Sequence, residues 1–289
     1  MTLSIGIDYK VGNWRACLTE NGQTLELSTF TDARSVYSYV EGICAYYPEP
    51  IIGLSSPLGT SFVSLSDAAQ IQRQTNGEEE TTQNDLQDFL RSTNAINLKS
   101  YSLPAIKYLP SVPRYRRLKK SHMGSSDRLC SVATLLYRMR QQEATWPEMR
   151  FLYLEVGPTS RSITVVKDGC IIDGIGEVAP INDGEVDAVD VEQAFWEGLT
   201  QDLAGLMAIH HFEDVVIVDC VSSNGEQKQR SSVIEQLGDN YQFYMFPRRE
   251  SEPEGFETAI GASILAEGLY HPGLAAEVTE HLLSSLAQP

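Results

Sequence analysis

A three-strand meander is written into this sequence twice. Residues 3 to 8 (Leu-Ser-Ile-Gly-Ile-Asp), 14 to 18 (Trp-Arg-Ala-Cys-Leu) and 24 to 30 (Thr-Leu-Glu-Leu-Ser-Thr-Phe) read as strands separated by turn residues at Gly12-Asn13 and Asn21-Gly22. After Trp146-Pro147 the pattern returns in residues 151 to 156, 162 to 166 and 171 to 175, with turns at Gly157-Pro158 and Lys167-Asp168-Gly169. A repeated meander requires two sheets, and each needs helices to bury it.

The segments that follow supply those helices. Residues 31 to 47 change to helical spacing, with Val36, Tyr39, Val40 and Ile43 on one face, and Ile51 to Leu54 form a short apolar strand. The stretch 59 to 100 carries weak signals, with one helix expected from Asn84 to Leu90, and Gly124 to Gln141 reads as a longer helix. In the second half, helices are expected over 191 to 211, 227 to 237 and 255 to 270, strands over 215 to 219 and 242 to 246, and a closing amphipathic helix over 273 to 286. The fold class is therefore α/β, with two series of the form βββαβαβα. The division expected is an N-terminal lobe (1–123), a connecting helix (124–144), a C-terminal lobe (145–271) and a terminal helix (272–289).

Charge narrows the partners. With 22 basic and 39 acidic residues the net charge is −17, which repels phosphate backbones and acidic lipids over most of the surface. Neither nucleic acid nor membrane is an expected partner, and the sequence, lacking a signal-like start or a membrane-length apolar run, reads as cytoplasmic. Cys17, Cys44, Cys130, Cys170 and Cys220 share no ligand spacing and read as reduced, buried hydrophobes. Gly53-Leu-Ser-Ser-Pro57 is no nucleophile elbow, since Pro replaces the final Gly. His210-His211 with Glu213 and Asp214 lacks the i, i+4 spacing of a helical metal site.

Against that acidic background, Arg114, Arg116, Arg117, Lys119 and Lys120 crowd into one loop. The loop reads either as a solvated or partner-docking patch or as an anion site, where arginine favours bidentate contact with carboxylate or phosphate. It lies within Pro110-Ser-Val-Pro-Arg-Tyr-Arg-Arg-Leu-Lys-Lys-Ser-His-Met-Gly-Ser-Ser-Asp-Arg-Leu129. That stretch resembles the signature of a prokaryotic family of predicted butyrate kinases, which has a Pro-rich turn, a basic pair and Met-Gly-(Ser/Thr)-x-Asp-(Lys/Arg) opening a helix. The hairpin 152 to 176 and the ending Gly255-Phe-Glu-Thr-Ala-Ile-Gly-Ala-Ser-Ile-Leu-Ala-Glu-Gly268 resemble the same family.

The resemblance implies an actin-like ATPase and sugar kinase fold, with ribonuclease H-like lobes and an interlobe cleft. It also implies ATP and Mg²⁺ as cofactors, and a small anionic substrate. In that superfamily the hairpin turns at the head of each lobe meet the nucleotide phosphates. Lys10, Gly12 and Asn13 occupy the first such turn, and Gly157 and Thr159 the second. Asp8 and Glu155 would hold Mg²⁺, with Glu155 standing where Asp is usual; Asp8 also reads simply as a turn residue capping the strand end. Ser222, Ser223 and Asn224 stand where adjacent glycines usually admit adenosine, and their side chains either obstruct it or hydrogen-bond it.

Arg116 and Arg117 would meet the substrate anion, and Asp127 either caps Arg128 or faces the cleft as a catalytic carboxylate. His122 stands where an acidic residue is common. No base follows the strand at Ser55-Ser56-Pro57, which fits a carboxylate acceptor, because an ionised acid is already a nucleophile, and fits equally a protein that catalyses nothing. A phosphotransferase acting on a small carboxylate is the expectation. A non-catalytic binding or regulatory protein on the same fold, and an activator ATPase or carbamoyl-transfer subunit, stay open beside it, and the fold admits a homodimer.

Overall fold

The computed structural model describes residues 3–283 apart from 11, 48, 76–82, 95–97, 121, 158–159, 179–187, 220–234, 236 and 238–240. The chain divides into two units: the first is Met1–Pro110, Ser125–Glu143 and Ser251–Pro289, the second Ser111–Gly124 and Ala144–Glu250.

In the first unit β1 (Leu3–Lys10), β2 (Asn13–Glu20) and β3 (Gln23–Phe30) form the antiparallel meander. The two-residue turn between β2 and β3 has Asn21 at φ 50° and Gly22 at φ 73°. That left-handed pair matches strand twist and is what the Asn-Gly dipeptide supplies. α1 (Ala33–Tyr46) starts at Asp32, whose carboxylate accepts from the Ser35 amide at 2.9 Å. β4 (Ile51–Ser55) then runs parallel to β1.

The stretch with weak sequence signals holds more structure than the one helix expected there. It contains β5 (Val63–Ser64), α2 (Leu65–Thr75), α3 (Gln83–Asn94) and β6 (Ser100–Ser102). β6 pairs parallel with β4, giving the sheet order β3-β2-β1-β4-β6-β5.

Both faces of β1 are covered, by different means. Leu3, Ile5, Ile7 and Tyr9 join Trp14, Val36, Val40, Phe89 and Leu90 in one apolar core. The Trp14 indole donates to Asp85 Oδ2 at 2.6 Å, while Asp85 Oδ1 accepts from the Ala33 amide at 2.7 Å, so α3 ties the meander to the start of α1. On the opposite face lies α7 (Glu257–Gly268), in backbone contact with the sheet. A Cβ placed on Gly6 would fall 1.9 Å from the Ala259 carbonyl oxygen, and one on Gly53 2.4 Å from that of Ala262.

The far side of α7 is equally close to α5 (Ser126–Gln141), since a Cβ on Gly261 would fall 1.7 Å from the Cys130 carbonyl oxygen. α8 (Leu274–Leu283) closes over α7, with Val278 and Leu282 buried.

The second unit repeats the plan. β7 (Phe151–Val156), β8 (Arg161–Lys167) and β9 (Cys170–Val178) form the meander, with Asp168 and Gly169 at φ 52° and 75° in the turn. β10 (Asp214–Asp219) pairs parallel with β7, and β11 (Gln242–Met245) with β10. The order β11-β10-β7-β8-β9 matches β6-β4-β1-β2-β3 strand for strand. α6 (Ala188–His210) packs Leu199, Leu203 and Leu206 on Leu152, Leu154, Ile163 and Val215. The helix expected over 227–237 lies almost wholly outside the described residues.

Gly261→Ala inserts a methyl group into backbone rather than into a yielding side chain. Denaturant unfolding should show a loss of roughly 3 kcal/mol or more, against a gain of roughly 0.5–1 kcal/mol for Ala at Gly42, exposed in the middle of α1 where the Cβ would meet nothing within 4 Å.

Candidate functional site

The carboxyl ends of parallel strands are where open α/β sheets bind ligands. In the first unit that edge is formed by β1 and β4, and Asp8, near the end of β1, pairs in register with Ser55, the last residue of β4. Asp8 is 2% exposed, and its Oδ1 has no hydrogen-bond partner among the described residues. Burial, opposed by Lys10, pushes its carboxyl up to about 6.

α5 brings its first turn to the same edge. Ser126, 1% exposed, accepts from the Ser56 amide at 2.9 Å and donates to the Ser56 carbonyl at 2.9 Å, so the end of β4 is bound to the helix start. Beside it, Asp127 accepts from the Ser125 hydroxyl at 2.5 Å and the Arg128 amide at 2.9 Å, and it pairs with Arg128 at 3.0 Å and Lys10 at 3.9 Å. Burial raises the Asp127 carboxyl, but Arg128, Lys10 and these hydrogen bonds outweigh it and bring it down to about 2. Asp127 thus satisfies the Arg128 amide in the first turn of α5 and also faces Lys10.

The turn after Lys10 is open. Gly12 has φ 73° with free space where a Cβ would be, and Asn13 is exposed. The structure brings Asp8, Lys10 and Asp127 together, with Gly12 and Asn13 in the adjoining turn.

In the second unit Glu155 is buried near the end of β7, paired in register with Ser162. The Gly157 amide donates to the Ser160 carbonyl at 2.7 Å, closing the turn between β7 and β8. Thr159, Ser222, Ser223 and Asn224 lie outside the described residues.

The basic loop, whose single helical turn is α4 (Arg114–Arg117), is held to the second unit by a group the sequence did not mark. Asp173 on β9 is fully buried. It accepts from Arg116, from Lys120 at 2.7 Å and from its neighbour's amide, that of Gly174, at 2.9 Å, and it lies 3.2 Å from His210 Nε2. That nitrogen is also 3.3 Å from Arg116, and it can donate to Asp173 or accept from Arg116 but not both at once. Burial raises the Asp173 carboxyl, yet His210 and Lys120 hold it far below the usual carboxylate range.

The rest of the loop follows β9. The Ser111 hydroxyl donates to the Ile171 carbonyl at 2.6 Å, and the Gly176 amide donates to the His122 carbonyl at 3.2 Å. Gly174 lets Met123 approach, since a Cβ there would fall 2.2 Å from the Met123 carbonyl oxygen. Arg117 turns back onto its own loop, donating to the Val112 carbonyl through Nε at 3.0 Å and Nη2 at 2.7 Å. His122 is exposed.

Among the described residues no group of three or more His, Cys, Asp or Glu side chains could hold a metal ion. A Mg²⁺ held by one or two carboxylates and a ligand's phosphates needs no such group, and the open, buried Oδ1 of Asp8 fits an ion that prefers oxygen. Among the described residues no helix is long and apolar enough to cross a membrane.

Residues 18–207 match the model of a family described as a protein of unknown function, DUF1464. The chain belongs to that family. No curated protein matches the sequence.

Among solved structures, an acetate kinase from Entamoeba histolytica is similar with a TM-score of 0.52 and 7% identity, over 82% of this chain and 87% of that one. A putative N-acetylmannosamine kinase from Listeria monocytogenes gives 0.49 and 9%, over 91% and 97%. A protein of unknown function with an actin-like ATPase fold from Bacteroides thetaiotaomicron gives 0.42 and 8%, over 90% and 95%. The fold is the actin-like ATPase fold, as the resemblance at residues 110–129 implied.

Two measurements test this description. Asp8 has a raised carboxyl, so its stabilising contribution is complete below about pH 4 and is lost as pH rises through about 6. Asp8→Asn should therefore melt several degrees above the unaltered protein at pH 8, a gain of at most on the order of 3 kcal/mol, and at the same temperature near pH 4. Asp173→Asn leaves Arg116 and Lys120 without their buried counter-charge, and should cost roughly 3 kcal/mol while speeding tryptic cleavage within residues 114–120.

Proposed function

We propose that this protein is an ATP- and Mg²⁺-dependent phosphotransferase whose acceptor is a small carboxylate. The observation that carries the reading is Asp8, a buried carboxylate with an open oxygen at the carboxyl edge of β1 and β4, beside Lys10 and Asp127. Burying an ionisable group with an unused oxygen costs stability unless something comes to meet it. A hard cation carrying nucleotide phosphates is the partner whose chemistry matches.

Asp8 would hold Mg²⁺, the role that the family resemblance also implies for Glu155. When bound, the ion supplies charge stabilisation for the transferred phosphoryl group. Lys10 would meet phosphate oxygens, and the open turn at Gly12 and Asn13 would let backbone N–H groups approach them. Gly157 and Thr159 would act alike in the second unit, with Ser222, Ser223 and Asn224 around the adenosine. Asp127, ionised at all physiological pH, orients Lys10 and adds negative charge toward the cation.

The acceptor class rests on two points. Ser55 and Ser56 stand at the end of β4, and their hydroxyls are not general bases at neutral pH, so an alcohol acceptor would lack the base it needs there. A carboxylate needs none. The fold likeness to an acetate kinase supports the same class. Arg116 and Arg117 are the residues that the resemblance implies for the acceptor anion; with Arg116 already paired to Asp173 and Arg117 to the Val112 carbonyl, a bidentate grip would require those bonds to be exchanged.

Calorimetric titration with a non-hydrolysable ATP analogue and Mg²⁺ tests the reading, together with hydroxylamine capture of acyl phosphate from acetate, propionate and butyrate. Saturable binding that weakens at least tenfold in Asp8→Ala, with acyl hydroxamate formed from one of these acids, is the expected result. An absence of binding at millimolar analogue would leave a non-catalytic protein on a kinase fold.

A further inference from the structure

The edge that holds Asp8 contains a second buried polar atom that is left open. Ser56 follows directly on Ser55, the register partner of Asp8, and is 5% exposed. Its backbone is fully engaged, the amide donating to Ser126 Oγ and the carbonyl accepting from it. Its hydroxyl has no hydrogen-bond partner among the described residues. A serine could satisfy itself by turning to a nearby carbonyl, as Thr93 does to Phe89 and Ser263 to Ile260. Here the backbone is clamped, and the hydroxyl stays unmatched.

Among the described residues two other buried serine hydroxyls are also unmatched, those of Ser4 and Ser162, but both lie within strands, Ser4 near the start of β1 and Ser162 inside β8. Ser56 alone of the three lies past a strand end, one residue beyond the partner of the open carboxylate.

We infer that Ser56 is a ligand-contacting residue of this site, its hydroxyl donating to an anionic oxygen of the Mg²⁺-bound phosphate ligand, and that Ser126 is the positioning residue that aims it. The inference rests on the phosphotransferase reading. Ser56 and Asp8 divide the work by chemistry: the carboxylate can only accept when ionised and so takes the cation, while the hydroxyl can donate and so takes the oxyanion. Ser126 contributes through geometry. Its reciprocal bonds to Ser56 fix the backbone torsions of the corner to the first turn of α5, the turn that carries Asp127.

The test separates a ligand contact from a structural hydroxyl by the sign of two effects. In Ser56→Ala an unmatched buried hydroxyl is removed, so the melting temperature should hold or rise. Affinity for the Mg²⁺-bound ATP analogue should meanwhile fall about tenfold or more, as expected for loss of a hydrogen bond to a charged oxygen. Ser126→Ala should lower both. If the unaltered protein binds the analogue and Ser56→Ala binds it within twofold, or loses affinity only together with a large drop in melting temperature, the inference is overturned while the phosphotransferase reading stands. If the unaltered protein does not bind the analogue at all, both fall.

Discussion

The first unit depends on how closely α7 can approach its neighbours. The helix is touched on one side by the backbone of β1 and β4 and on the other by that of α5, and each contact is possible only because a glycine stands there: Gly6, Gly53 and Gly261. Close packing of this kind replaces side-chain interdigitation with backbone van der Waals contact, which tolerates no added methyl group. It also explains why β1 carries Gly at position 6 between isoleucines, where strand propensity alone would favour a β-branched residue. With α7 seated, the edge of β1 and β4 and the start of α5 are held as one rigid frame, and Asp8, Ser56 and Asp127 inherit their positions from it.

Electrostatics in the two units follow different logic. In the first, a buried carboxylate is left open and a second is neutralised by Lys10 and Arg128, so the environment pushes Asp8 and Asp127 in opposite directions. Splitting two acids in this way is a common property of sites that handle charge. In the second, Asp173 is saturated by Arg116, Lys120 and its own neighbour's amide. Saturation of that kind fixes a loop to a sheet edge and leaves little for a ligand.

The meanders were legible because their turns are chemically explicit. Asn21-Gly22 and Asp168-Gly169 both adopt positive φ, as hairpin turns of two residues require. Asp8 was legible as an acid at a strand end, and Asp127 through a resemblance. Residues 59–100 were harder: β6 is Ser-Tyr-Ser, with no apolar run to announce it, and it becomes a strand only because β4 offers an edge. The basic run 114–120 read as an anion-seeking loop because its counter-charge, Asp173, lies more than 50 residues away and on a strand whose pattern carries no signal for it. Ser55-Ser56 registered only as a missing base, since nothing in a sequence shows that a serine's backbone will be clamped and its hydroxyl left over.

The first unit is assembled from three separated stretches, with the second unit's residues 144–250 inserted before the last of them. A ribosome therefore completes all of the second unit's segments before it emits α7, the helix that β1, β4 and α5 all require. Until then the glycine-lined face of the first sheet has no cover, and contacts spanning some 250 residues of chain, such as Gly6 with Ser263, cannot form. Long-range closure of this type slows folding and exposes apolar surface while it waits. For this chain the second unit is the one able to mature during synthesis, and the half carrying Asp8 becomes competent only once α7 has emerged.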